Sequence, residues 1–142
     1  MNRITLDQAN HIIAEAFRKG AELKLKPLSV VVLDPGGHTI AFQRQDGAST
    51  MRFQIAVGKA SGALAIGMSS RKIGEMAADR PSFVASLGPI APHGVIPAAG
   101  GVIVLDGAGE IVGAVGITGD SSDNDEACAL AGIAATGLKA QG

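Results

Sequence analysis

The chain has 142 residues, of which 46% are apolar and 18% charged, a composition that supports one domain with a real core and argues against a disordered segment. Its 12 basic and 13 acidic residues leave a formal charge of -1, with no basic stripe to neutralise nucleic-acid phosphates. No run reaches the roughly 20 apolar residues that span a bilayer, so neither nucleic acid nor a membrane is expected as a partner, and the cytoplasm is the expected compartment.

Thr5 and Gln8 have the spacing of a capping box, which starts a first helix. Ala9, Ile12, Ile13, Ala16 and Phe17 then share one face, while Asp7, His11, Glu15, Arg18 and Glu22 fall on the other. Pro27 closes this element. Leu28 to Leu33 reads as a strand, Asp34-Pro35-Gly36-Gly37 as a turn, and His38 to Arg44 as its partner strand. Met51 to Leu64 has helical spacing, with Phe53, Ala56, Val57, Ala60 and Leu64 in line, and a shorter helix from Arg71 to Ala78 takes Ser69 or Ser70 as its cap.

Pro81 to Gly101 is rich in Pro, Gly and Ala and reads as an ordered loop with a short strand at Gly94 to Ile96. A second hairpin follows, Val102 to Leu105 and Ile111 to Ile117 around the turn Asp106-Gly107-Ala108-Gly109. The last helix runs from Ser122 or Asp123 to Leu138, burying Ala127, Leu130, Ala131, Ala134 and Leu138, with Asp123, Asp125 and Glu126 at its positive end. Helices come in blocks and do not alternate with strands. A single α+β domain over residues 1–142 is therefore expected, an antiparallel sheet of about five strands flanked by helices as in a profilin-like α/β/α sandwich. With 20 glycines, no Trp or Tyr and four Phe, its core must close through aliphatic side chains and near approach of backbone. The single Cys128 excludes an intrachain disulfide and reads as a core residue.

Val32-Leu33-Asp34-Pro35-Gly36-Gly37-His38, continuing to Phe42-Gln43-Arg44-Gln45-Asp46-Gly47-Ala48, resembles the N-terminal signature of the GlcG/HbpS family, a domain that also ends PduO-type cobalamin adenosyltransferases. Ala56 with Lys59-Ala60, Gly100-Gly101-Val102, and Gly113 to Gly119 followed by Asp125-Glu126 extend the likeness over essentially the whole chain. The resemblance implies an antiparallel sheet flanked by helices, assembly from dimer to octamer, and, for several members, haem binding. It implies no agreed reaction.

Haem iron takes an axial donor, most often a neutral imidazole, and its propionates attract cations. His38 follows Gly36 and Gly37 at a strand start, where small neighbours admit a flat ligand; alternatively it only braces the turn. His11 lies between Asp7 and Glu15 at helical spacing. A solvated ion-pairing face explains that spacing more simply than a metal site does, and no metal ligand set is assigned, but a helix-one histidine ligand in haem-binding relatives keeps His11 a candidate. Gly100 and Gly101 join Gly36 and Gly37 as glycines that would let a cofactor approach. His93, bounded by Pro92 and Gly94, suits binding or acid–base work, or is simply a positioned loop residue. Arg44 and Lys59 are the cations expected to meet an anionic ligand, with Asp46 and Asp125 to orient them, unless they are ordinary surface charges.

Three functions follow as expectations: a small haem- or tetrapyrrole-binding homo-oligomer; a catabolic isomerase or tautomerase for an anionic organic acid, using His93, Lys59 and Arg44; or an accessory assembly module without chemistry.

Overall fold

The computed structural model describes residues 2–142. Ten regular elements follow one another: α1 (Leu6–Glu22), β1 (Ser29–Leu33), β2 (Thr39–Arg44), α2 (Arg52–Ile66), α3 (Ser70–Asp79), α4 (Pro81–Leu87), β3 (Gly101–Leu105), β4 (Ile111–Thr118), α5 (Ser122–Ala135) and β5 (Lys139–Ala140), with a 3-10 turn at Gly88–Ile90. The five strands form one antiparallel sheet in the order β2-β1-β4-β3-β5. The α+β class and the flanked sheet expected from the sequence are present.

Alternation along the strands builds three layers. Val30 and Val32 of β1, Val102 and Val104 of β3, and Val115 and Ile117 of β4 pack with Ile12, Ile13 and Ala16 of α1 and Cys128, Ala129 and Ile133 of α5. Val31, Leu33 and Ala114 face the other way, against Ala56, Val57 and Ala60 of α2. The capping box at Thr5 and Gln8 forms as expected, and Ser69 accepts a hydrogen bond from the Lys72 amide at the start of α3.

Glycines set how closely α2 approaches the sheet. A Cβ at Gly116 would lie 2.1 Å from the Ala56 carbonyl oxygen, and one at Gly101 would lie 2.2 Å from that of Lys59. The helix therefore rests backbone to backbone on β3 and β4, which gathers the N-terminus of α2, the end of β4 and the start of α5 at one corner.

Two expectations are corrected. Residues 81–87 form α4: Pro81 at its first turn lacks only an amide that a helix start leaves free, and its fixed φ suits the helix. Gly94 to Ile96 is not a strand; it runs over α2, where Gly62 lets Val95 approach to 3.1 Å of a built Cβ and the Ile96 amide donates to the Gly58 carbonyl. Secondly, α5 ends at Ala135 and turns a different face inward, namely Asp125, Cys128, Ala129, Gly132 and Ile133. Leu130 is 42% exposed and Ala134 lies at the surface. Gly132 admits Ile12 of α1, whose carbonyl oxygen would lie 2.6 Å from an added Cβ, so nearness of backbone selects the buried face over hydrophobicity.

Candidate functional site

The turn between β1 and β2 is held by its own acid. Asp34 Oδ1 accepts from the amides of Gly36 and His38, and Gly37 takes φ +85°. This conformation favours glycine. The turn lies against the C-terminal half of α2: an added Cβ on Gly37 would meet Ser61 Oγ at 3.7 Å. The loop carrying Pro92 closes the other side. Gly36, Gly37, Ser61, Leu64, Ala65 and Pro92 thereby enclose a cleft of about 120 Å³. A second cleft of about 290 Å³, walled by Ile66, Leu87, Ile90 and Val95, shares Ala65 and Pro92 with it. The two clefts are neighbours along α2, a stretch termed the α2 groove.

His38 rises from the turn with its side chain 80% exposed and Nδ1 3.4 Å from Asp34 Oδ1. His93 is exposed and adjoins Pro92 in the chain. The structure therefore brings the segments of both histidines to this groove. His11 is elsewhere: it lies on α1, across the sheet, half exposed, with Nε2 4.0 Å from Glu15. Asp7 does not complete a metal-binding group with them, and no cluster of three such side chains occurs among the described residues.

Lys59 points away from the groove into the protein, 3% exposed. Its ammonium donates to the Ile117 carbonyl at 3.0 Å and to Asp125 Oδ2 at 3.2 Å. Burial pushes the Lys59 ammonium below the ordinary lysine range, opposed by Asp125 and reinforced by the charge of Arg52. Burial likewise pushes the Asp125 carboxyl up, opposed by the Asp120 amide that donates to Oδ1 and by Lys59. Gly100 and Gly101 are buried beside this pair; a Cβ on Gly100 would lie 2.5 Å from the Ile117 oxygen and 2.9 Å from Lys59 Nζ. Arg44 sits at the opposite end of β2 from the His38 turn. It borders a cleft of about 580 Å³ between the end of α1 and the end of β2, whose lining contains none of the histidines. His93, Lys59 and Arg44 thus do not line one pocket.

A family model described as the haem degrading protein HbpS-like matches residues 4–134. The chain belongs to the HbpS-like family. Among solved structures, a PduOC–haem complex superposes with a TM-score of 0.85 at 20% identity over 99% of each chain, which speaks for the fold. HbpS gives a TM-score of 0.81 at 28% identity, over 95% of this chain and 91% of that one. The ORFY protein of Klebsiella pneumoniae gives 0.82 at 26%, over 94% and 90%. None of the curated proteins matches significantly. Leu64, Ala65, Ile66, Leu87, Ile90 and Val95 give the groove along α2 largely aliphatic walls. Its parts, about 120 and 290 Å³, fall at or below the roughly 300–1,000 Å³ of ordinary ligand sites. No helix among the described residues is long and apolar enough to cross a membrane.

Nothing in the sequence announced the Ile66, Leu87, Ile90 and Val95 wall, because it depends on α4 and on how the following loop folds over α2. Of the glycine- and proline-bounded histidine segments singled out in the sequence, Gly36, Gly37 and Pro92 line the smaller cleft.

Proposed function

We propose that this chain is a haem-binding protein of the HbpS type, acting in the cytoplasm as a homo-oligomer whose second copy covers the open side of the α2 groove. The observation that carries the reading is the exposed His38 imidazole, which follows directly on Gly36 and Gly37, the glycines of the Asp34 turn that line the smaller cleft. Haem when bound supplies an iron that accepts an imidazole nitrogen. His38 would hold it from the turn, with His93 available from the facing loop and Leu64, Ile66, Leu87 and Ile90 excluding water from the macrocycle. Family membership and the likeness to HbpS support the ligand class.

Titration with haemin tests this. A Soret shift that is retained in His11→Ala and lost in His38→Ala, or in His38→Ala combined with His93→Ala, is expected. No shift with the unaltered protein, or one that survives the double change and disappears in His11→Ala, overturns the assignment.

A further inference from the structure

At the corner where α2 begins, the sheet presents a transverse row of polar side chains toward that helix. Ser29 pairs across the ladder with Arg44 on one side and Thr118 on the other. Val31 and Leu33, in alternation with Ser29, pack on α2, so the row shares their face. Arg52, the first residue of α2, reaches down to it. Its Nη1 donates to Thr118 Oγ1 at 2.8 Å and its Nε to Ser49 Oγ at 3.1 Å.

Ser29 is fully buried, and its Oγ has no hydrogen-bond partner among the described residues. Buried hydroxyls are almost always paired, so this one marks a place where a partner belongs. The charges around it are also unbalanced. Neither Arg44 nor Arg52 has a carboxylate within ion-pair distance among the described residues; Asp125 is taken up by Lys59, and Asp120 by Asn124 and the amides of Lys26 and Ser121. The α2 N-terminus adds positive potential with nothing to meet it: Met51 provides no side-chain cap, and the first turn contains no acid.

We propose that this corner binds an oxyanion, a carboxylate or phosphate group, held by Arg52 and Arg44 at the uncapped start of α2, with the Ser29 and Thr118 hydroxyls beneath it. Binding draws the Arg52 guanidinium partly off Thr118, which frees that hydroxyl and opens a path to Ser29. The site lies at the other end of the β1–β2 hairpin from His38 and does not depend on the haem reading.

Calorimetry and thermal melts with sodium phosphate and with sodium acetate, each against sodium chloride at equal ionic strength, provide the test. One or both oxyanions should bind saturably; phosphate alone identifies a phosphate-bearing ligand and acetate alone a carboxylate. Arg52→Gln and Ser29→Ala should each weaken binding by about tenfold, the loss of one charge-assisted hydrogen bond, while Arg52→Lys retains part of it and Lys139→Gln, at the far sheet edge, changes nothing. Circular dichroism of each variant shows that the fold is intact. The proposal is overturned if neither oxyanion exceeds chloride, or if folded Arg52→Gln and Ser29→Ala bind as the unaltered protein does.

Discussion

At the residue scale the buried Lys59–Asp125 pair dominates. The two shifts are opposite in direction but share burial as their main cause: an acid whose folded pKa is raised contributes stability that is lost as pH rises through it, and a lysine whose folded pKa is lowered contributes stability that is lost as pH falls through it. Near neutrality both ions therefore carry a burial cost that their attraction only partly offsets. Lys59→Met or Asp125→Asn alone should destabilise by about 3–5 kcal/mol, because each leaves a buried group uncompensated. The double change should cost less than either, as urea melts would show, since the side-chain carbonyl of the introduced asparagine would still accept from the Asp120 amide. Asp120 behaves oppositely. Hydrogen bonds from Asn124, Lys26 and Ser121 lower its carboxyl from 3.8 to about 2, so its contribution is full above the ordinary value and is lost as pH falls between those two limits. In Asp120→Asn the dependence of stability on pH across that window should flatten. Burial pushes the Cys128 thiol up to about 11, so a thiol reagent at neutral pH should label it only after unfolding. Its solitary place among apolar neighbours made Cys128 readable from the sequence; the depth of Lys59 was not, because only the crossing of α2 over Gly100 and Gly101 puts that residue inside.

At the element scale, patterning and punctuation made α1 and both hairpins legible: a capping box, a 3.6-residue stripe, and Asp-Pro-Gly-Gly and Asp-Gly-Ala-Gly turns. Where packing is by backbone, those signals fail. The inward face of α5 contains Gly132, Cys128 and an acid, so apolarity alone favoured the wrong side. In α4 the proline that opens the helix resembled a loop breaker. The same dependence on small residues gives a sharp prediction for α2. Gly116→Ala would drive a methyl into the Ala56 carbonyl, 2.1 Å from where its Cβ must lie, and should destabilise by about 3 kcal/mol, the upper part of the range for overpacking. Gly107→Ala, in a turn where an added Cβ meets nothing within 4 Å, should stay within about 0.5 kcal/mol of the unaltered protein. Chemical denaturation of the two variants side by side distinguishes loss of helix–sheet contact from a general intolerance of added methyls.

At the scale of the whole molecule, the three-layer arrangement places two unlike surfaces at opposite ends of the β1–β2 hairpin. One is the aliphatic groove beside the His38 turn, the other the cationic corner at the start of α2. The groove is shallow because its outer wall is solvent: Ile90 on its rim is 79% exposed. A macrocycle lying there against a single chain would leave one apolar face in water, which forfeits much of the gain from burying it. If a second copy supplies the missing wall, haem binding and association are linked, and each must strengthen the other by the same factor. The fraction of haemin bound at a fixed haem-to-protein ratio should then fall on dilution more steeply than a one-to-one equilibrium allows. Mass measurement should show the larger species enriched by haemin. Exchanging Ile90 for Glu should weaken both together, since a charge at that rim opposes the partner wall and the ligand alike. Dilution curves that follow a simple one-to-one isotherm, with an unchanged mass, would place the whole ligand on one chain.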